Sequence, residues 1–305
     1  MKKLFEHIIL LAVAMTICSC GDSYEEKVKR SYRDHLRQER EDSASLKIAT
    51  TPTMDCLPIF IAVEDSLFQK AGVDVHLRAR NSQIDGDTLI EGGHVEGFVT
   101  DLIRAERLQK RGTPLKYVAS TNVYWQIVSN RLARVKEVKQ LSDKMIAITR
   151  FSATDYLANL AVDSARPKND VYRIQINDVK LRLKMLLNNE IDAIVIPEPY
   201  ATAARLNNNP VLVDSRHKDY RLGVIAFRQK ALKDKSRKTQ VDLFLKVYNQ
   251  VCDSINRRGV KHYAYVVKKY MNVDDKTIHA LPKLNYSHAA PPHAADVERA
   301  RKYWK

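Results

Sequence analysis

The chain has 305 residues, of which 45% are hydrophobic, so it is longer than a usual single domain and has room for two α/β lobes. This hydrophobic content is ordinary for a globular protein, and the chain has no low-complexity tract. The excess of 51 Lys and Arg over 36 Asp and Glu residues gives a net charge of +15, which in a cytosolic protein would suggest nucleic acid as a partner. The export signal at the start of the chain argues against that, and we expect no nucleic-acid partner.

Residues 1–19 have the pattern of an export signal. Lys2 and Lys3 supply the positive start, residues 8–17 the apolar core, and Ser19 the small residue before the cleavage site. The core is about half as long as a bilayer-spanning helix requires, so we expect no permanent transmembrane segment.

Ile17-Cys18-Ser19-Cys20 resembles the lipobox of bacterial lipoproteins, in which the cysteine after a small residue is acylated. The resemblance implies that Cys20 is the lipidation site and anchors the protein to a membrane of the cell envelope, on the periplasmic side. Cys18 is the poorer candidate because the bulky Ile17 precedes it. A plain secretory peptide is the alternative.

Residues 20–45 are expected to form a lipid-anchored tether. No Gly or Pro occurs between residues 22 and 45, and Tyr24, Val28, Tyr32 and Leu36 recur every fourth residue. This spacing favours a charged helical spacer, at ~1.5 Å per residue, while a solvated disordered tether is the alternative.

Two similar βαβ units organise the remaining chain. Each begins with a short apolar strand, residues 46–50 in one and 145–149 in the other, followed by a polar loop and a helix. About 45 residues later each has a second buried strand, at residues 95–100 and 191–196. Two such units at an offset of about 97 residues indicate a duplicated architecture.

The segments that link these units predict the domain organisation. Residues 116–121 and 125–130 are strand-like, and the polar-aromatic residues 122–124 between them are a candidate crossing between lobes. Residues 222–227 have the pattern of a strand that returns to the first lobe. We therefore expect lobe I to comprise residues 46–121 and 223–305, and lobe II residues 122–222. The later helices are predicted at residues 239–256, 263–270 and 296–303.

Four motifs occur in one order along the chain and carry a family resemblance. They are Leu57-Pro58-Ile59-Phe60-Ile61-Ala62, the strand end 95–101, Leu115-Lys116-Tyr117-Val118-Ala119, and Glu198-Pro199-Tyr200-Ala201. In this order they resemble the periplasmic substrate-binding proteins of nitrate/sulfonate/taurine and thiamine-precursor ABC importers. The resemblance covers residues 46–206 well and implies an α/β, two-lobe periplasmic-binding-protein fold of type II-like topology, with a two-strand hinge and the ligand in the cleft. It also implies an ABC permease as a partner, no cofactor, and a monomer.

Three departures from the family pattern lie on the pocket side. Ser142-Asp143-Lys144 and Arg150-Phe151-Ser152 stand where relatives usually have glycine, and Pro197 stands where relatives often have tryptophan before Glu-Pro-Tyr. We therefore expect these departures to affect which ligand is bound more than they affect the fold.

Hydroxyl side chains follow the first strand of each unit, where ligands of open α/β sheets bind. Thr51 and Thr53 lie in one loop, and Ser152 and Thr154 in the other. Ser152 and Asp155 also fit a capping box, so helix capping is the alternative role for these hydroxyls.

Charged residues in the same loops suggest the ligand class. Arg150 is a candidate clamp for a carboxylate, phosphate or sulfonate, with a surface ion pair as the alternative. Asp55, Asp101 and Glu198 would repel a small inorganic anion, so we favour an organic ligand with an amine or a heteroaromatic ring; helix N-terminal charge is their alternative role.

Aromatic side chains near the crossing could stack on a flat ligand. Trp125 is the candidate we favour, while Tyr124 and Phe151 are expected to form a wall without ligand contact.

The leading hypothesis is a lipid-anchored binding protein, not an enzyme, that delivers a sulfonate, an amine or a heteroaromatic nutrient to an ABC importer. An enzyme on the same fold, similar to those of thiamine-pyrimidine or menaquinone pathways, and a ligand-sensing lipoprotein are the alternatives. No metal-binding spacing occurs, and Cys56 and Cys252 could pair or stay free.

Overall fold

The computed structural model describes residues 28–29, 31–33, 42–218 and 220–304. The predicted export signal, Cys20 and most of the predicted tether lie outside the described residues, while residues 28–29, 31–33 and 42–44 are helical. The body of the protein comprises residues 46–305. Within the described part of the chain, every helix is too short or too polar to cross a bilayer.

The body contains strands in two separate sheets, which define two lobes. The strands are β1 (Leu46–Thr50), β2 (Val75–Ala79), β3 (Gly97–Asp101), β4 (Leu115–Ser120), β5 (Trp125–Ser129), β6 (Met145–Ile148), β7 (Tyr172–Gln175), β8 (Ala193–Pro197), β9 (Val211–Asp214) and β10 (Gly223–Arg228). Lobe 1 has the strand order β2-β1-β3-β10-β4, and lobe 2 has the order β7-β6-β8-β5-β9.

The two sheets repeat one topology. In lobe 1, β1 pairs in parallel with β2 and β3, and β10 runs antiparallel to β3 and β4. In lobe 2, β6 pairs in parallel with β7 and β8, and β5 runs antiparallel to β8 and β9. The antiparallel strand of each sheet directly follows the crossing from the other lobe. The predicted two-lobe α/β fold is therefore confirmed, as is the strand that returns to the first lobe.

Helices cover the faces of both sheets. They are α1 (Leu57–Glu64), α2 (Leu67–Lys70), α3 (Gln83–Glu91), α4 (Leu102–Lys110), α5 (Ala153–Ala165), α6 (Val179–Leu187), α7 (Tyr200–Leu206), α8 (Gln229–Lys233), α9 (Lys235–Arg258), α10 (Ala264–Met271), α11 (Asp275–Ala280) and α12 (Ala294–Lys302).

The long helix α9 supplies the core of lobe 1 with an apolar stripe. Phe244 is fully buried on this stripe, and its ring lies 5.2 Å from that of Phe68 and 5.9 Å from that of Phe227. The helix begins earlier than predicted because the Asp234 side chain accepts a hydrogen bond from the Arg237 N–H and caps its first turn.

Two local predictions were wrong or incomplete. Residues 132–144 have a basic, loosely helical pattern, but the segment contains two 3₁₀ turns, Arg131–Ala133 and Val138–Leu141, instead of a helix. Arg134 has a left-handed backbone with φ of 54°, which ends the first turn. Strand β9 and helix α11 were missed because each is short and flanked by polar residues.

Candidate functional site

The two lobes contact each other where their strands end. The Met54 N–H donates a hydrogen bond to the Glu198 carbonyl oxygen at 3.1 Å, and the Arg104 guanidinium donates one to the Arg150 carbonyl oxygen at 3.3 Å. The predicted contact residues Thr51, Thr53, Asp55, Asp101, Trp125, Ser152, Thr154 and Glu198 are all buried in the body, while the Arg150 side chain is exposed. Polar side chains from both units are thus enclosed in the protein.

Asp55 organises the loop after β1. Its Oδ1 accepts a hydrogen bond from the Thr53 hydroxyl at 2.6 Å, and its Oδ2 accepts one from the Thr121 hydroxyl at 3.2 Å. The hydroxyls of Thr51 and Thr53 lie 3.2 Å apart. Burial raises the pKa of Asp55, while these hydrogen bonds act against the shift. Both oxygens of this carboxyl therefore already have partners.

Asp101 ends β3 and caps α4, but only one of its carboxyl oxygens is used. Oδ1 accepts a hydrogen bond from the Arg104 N–H at 3.0 Å, whereas Oδ2 is buried without a partner. Burial raises the pKa of this carboxyl to about 6, against the opposing effects of the Arg104 charge and of the backbone N–H groups of Arg104 and Ala153. The Arg104 guanidinium itself pairs with the Asp87 carboxylate.

The loop after β6 uses its hydroxyls locally. The Ser152 side chain accepts from the Thr154 N–H at 3.1 Å and donates to the Thr149 carbonyl oxygen at 2.7 Å, so it caps α5. Thr154 Oγ1 accepts from the Thr149 N–H at 2.8 Å. The capping-box prediction was right for Ser152 and wrong for Asp155, whose carboxylate accepts from the Phe151 N–H. The Ser152 hydroxyl thus caps α5, while the Thr154 hydroxyl bonds to the backbone of Thr149 in the turn before the helix.

Two residues in the segments where the resemblance leads us to expect glycine have a left-handed backbone conformation, which glycine adopts most easily. Asp143 has φ of 59° and Phe151 has φ of 62°. A bulky side chain in this region is strained, by roughly 1–2 kcal/mol. The Phe151 ring is held by the Arg107 guanidinium, 4.1 Å from its centroid, and by Trp304, 5.8 Å away. The Phe151 ring is thus packed against a guanidinium group and an indole ring.

Arg182 is a buried cation of lobe 2, and no local pattern in the sequence distinguishes it from the exposed arginines. It lies on α6 and is 2% exposed, and it donates to the carbonyl oxygens of Ile176 at 3.1 Å and Val195 at 2.5 Å and to the Thr149 hydroxyl at 2.5 Å. Burial lowers its pKa to about 9. The exposed Arg150 guanidinium instead lies 5.0 Å from the centroid of the Phe151 ring.

Glu198 joins the end of β8 to the crossing segment. Its Oε1 accepts hydrogen bonds from the Tyr124 hydroxyl and from the Arg205 guanidinium, both at 2.8 Å, and its Oε2 accepts from the Thr202 N–H at 2.9 Å. Trp125 is 3% exposed, lies in β5 opposite Pro197, and belongs to an apolar cluster. Its ring is therefore part of the packed wall of this region.

The described part of the chain holds no cluster of three or more His, Cys, Asp or Glu side chains suited to a metal ion. Cys56 and Cys252 are buried free thiols, and burial raises the pKa of Cys252 to about 12. The sequence had left open whether these two cysteines pair.

A sequence model of the NMT1-like family matches residues 39–213, more than half of the chain. No curated protein sequence matches significantly.

Among solved structures, the chain is similar to the alkanesulfonate-binding protein SsuA of Xanthomonas axonopodis pv. citri, with 15% identity, a TM-score of 0.70 and coverage of 86% of this chain and 91% of that one. A ligand-binding component of an ABC-type import system from Staphylococcus aureus has 14% identity, a TM-score of 0.70, and coverage of 85% and 91%. The nitrate-binding protein NrtA of Synechocystis PCC 6803 has 14% identity, a TM-score of 0.66, and coverage of 77% and 68%. At these identities the similarity establishes a shared fold.

Proposed function

The chain belongs to the NMT1-like family, and from that premise we propose that it is a lipid-anchored, extracytoplasmic solute-binding protein. It binds a small organic nutrient and delivers it to the permease of an ABC importer, as a monomer. Its structural neighbours named for a ligand bind alkanesulfonates and nitrate, and another is a component of an ABC-type import system. These neighbours support the general function, and the ligand of this chain has to be argued from its own residues.

The observation that carries the proposal is the enclosure of polar side chains where the two lobes meet. Thr51, Asp55 and Asp101 come from lobe 1, and Ser152 and Glu198 from lobe 2, and all five are at least 94% buried. Ligands of open α/β sheets bind at such strand ends, beside the unpaired N–H groups of helix N-termini. A ligand reaches these residues only if the two lobes separate. The two crossings between the lobes then act as a hinge. Lobe 1 comprises residues 46–121 and 223–305, and lobe 2 comprises residues 122–222.

Ligand binding is tested by thermal unfolding of the full-length chain in detergent against sulfonates, pyrimidines, amines and oxyanions. A ligand at a hundred times its dissociation constant should stabilise the folded state by about 2.7 kcal/mol. The Arg150→Ala and Glu198→Gln variants should lose this stabilisation, whereas Glu190→Gln, at an exposed glutamate of lobe 2, should keep it. The assignment of the site fails if all three variants bind like the wild type.

The anchor is tested separately, because Cys20 lies outside the described residues. Incorporation of labelled fatty acid and recovery in the membrane fraction should both be lost in Cys20→Ala and kept in Cys18→Ala. Labelling that persists in Cys20→Ala would refute the proposed lipidation site.

A further inference from the structure

A groove lies on lobe 2 between helix α5, strand β9 and the 3₁₀ turn Val138–Leu141, and we call it the lobe-2 groove. Its volume is about 590 Å³, within the range of ~300–1,000 Å³ that is typical of small-molecule sites. The apolar side chains that line it are Val138, Leu157, Leu160, Ala161, Leu212 and Val213. None of the residues that we assign to the ligand site between the lobes lines this groove. It is therefore a separate feature of the molecule.

The repeated topology explains why this face of lobe 2 is open. Helix α5 corresponds to α1 of lobe 1, since each follows the strand that has two parallel neighbours. In lobe 1 the long helix α9 covers α1 and β4, and its residue Val247 shares one buried apolar cluster with Ile59 and Ala119. In lobe 2 the 3₁₀ turn packs against α5 instead, and Leu160 of α5 remains 36% exposed. Exposed apolar surface with a polar rim is typical of binding sites.

The rim of the lobe-2 groove is basic. Lys136, Lys139 and Lys218 line it, and among the described lining residues Glu137 is the one acid. The Glu137 carboxylate pairs with the Lys139 ammonium group at 2.9 Å. Within the described part of the chain, the ammonium groups of Lys136 and Lys218 have no acidic partner. The groove thus combines an apolar floor with two uncompensated positive charges, which favour an anion over a cation.

We propose that the lobe-2 groove binds a free single-chain aliphatic carboxylate. The alkyl chain lies on Leu157, Leu160 and Leu212, so that the apolar surface of both the chain and the floor is removed from water. The carboxylate pairs with Lys136 and Lys218. A cationic amphiphile of the same length would bring a like charge to these lysines, and acetate lacks the chain that would cover the floor. This site goes beyond the proposed nutrient-binding function, because it uses another surface and another chemistry.

Photo-crosslinking of the full-length protein in phosphatidylcholine vesicles tests the proposal. The two probes are decanoate and decylammonium, each with a diazirine at the same carbon of the chain, and peptide mapping locates the labelled segments. We expect decanoate to label residues 136–139, 157–165 and 212–220 about fivefold more than decylammonium does, and unlabelled decanoate, but not acetate, to compete. Equal labelling by the two probes, or labelling by decanoate elsewhere on the protein, would overturn the proposal.

A third probe distinguishes other occupants of the same groove. It is phosphatidylglycerol with a diazirine in one acyl chain, incorporated into the vesicles. We expect it to leave the groove segments unlabelled. Labelling of these segments by the phospholipid and not by free decanoate would overturn the proposal in favour of an anionic membrane surface. Crosslinks between groove segments of two protein molecules, without labelling by decanoate, would overturn it in favour of a second copy of the chain.

Variants then assign the labelling to the floor and to the rim. Leu160→Glu should lower labelling by decanoate about tenfold, because it places a carboxylate on the apolar floor. Replacing Lys136 and Lys218 together by methionine should lower it severalfold and remove the preference over decylammonium. Leu187→Glu, at a leucine of α6 that is also 36% exposed, is the matched control and should be labelled like the wild type.

The variants also separate this proposal from the nutrient-binding one. All the replaced side chains are exposed, so the variants are expected to fold, which their unfolding curves check. None of them changes a residue of the ligand site between the lobes, so stabilisation by a nutrient should persist in each. Labelling of Leu160→Glu equal to that of the wild type would refute the lobe-2 groove as the binding site and leave the proposed nutrient-binding function intact.

Discussion

Replacing Asp101 by asparagine should stabilise the ligand-free protein at neutral pH. Burial raises the pKa of this carboxyl from 3.8 to about 6. The difference of about two pKa units corresponds to about 3 kcal/mol of folding free energy. An asparagine keeps an oxygen that can accept the Arg104 N–H, so the cap of α4 is retained while the buried charge is removed.

The sign of this stability difference and the pH range in which it appears follow from the linkage between proton binding and folding. The folded state holds the proton more tightly than the unfolded state, so the ionised carboxylate opposes folding. Its cost is absent below pH 3.8, grows as the pH rises, and is complete above about pH 6. The variant should thus exceed the wild type in stability by about 3 kcal/mol at pH 7, and by only about 1 kcal/mol at pH 4.5.

Urea unfolding of both proteins at the two pH values measures this difference. Burial also raises the pKa values of Asp55 and Asp87, but their contributions are common to both proteins and cancel in the comparison to first order. Hydrogen bonds with Thr277 lower the pKa of the exposed Asp274, so Asp274→Asn should lose stability at pH 7. A variant that is less stable than the wild type at pH 7, or a difference independent of pH, would refute the reasoning.

Three further changes test other contacts by the same urea measurement. Phe244→Ala should destabilise the protein by about 3–5 kcal/mol, because it leaves a cavity beside the rings of Phe68 and Phe227; a loss below about 1 kcal/mol would contradict the described packing. Tyr124→Phe should cost about 1.5–3 kcal/mol, since its hydroxyl donates to the buried Glu198 carboxylate, and an unchanged midpoint would argue against that bond. Trp304→Phe should cost about 1 kcal/mol through the lost hydrogen bond from its indole N–H to the Ile103 carbonyl oxygen at 2.7 Å, whereas no loss would place that indole in solvent.

The order of strands and helices in the body could be read from the sequence because it depends on local patterns. The apolar runs at residues 46–50, 95–100, 145–149 and 191–196 overlap the strands β1, β3, β6 and β8 to within two residues, and polar loops follow them. The repeat at an offset of about 97 residues became two sheets with one topology. The period of the apolar residues and the offset between the two βαβ units are both properties of the sequence. They can therefore be recognised without knowledge of the tertiary contacts.

The partners of the site residues were decided by the tertiary structure. Position in a loop identified Ser152 and Thr154, but only the folded backbone shows that the Ser152 hydroxyl caps α5 and that the Thr154 hydroxyl accepts from the Thr149 N–H. Arg150 and Arg182 are the same residue type in similar sequence contexts. In the structure the Arg150 side chain is exposed, whereas the Arg182 guanidinium is buried and donates to backbone carbonyl oxygens.

Long-range contacts set these environments. The Tyr286 hydroxyl donates to the Met54 carbonyl oxygen at 2.9 Å, across 232 positions of sequence. A local sequence pattern predicts which side chain lies at the end of a strand. Whether its polar atoms find partners there, as those of Asp55 do and Oδ2 of Asp101 does not, depends on which distant segments pack beside it.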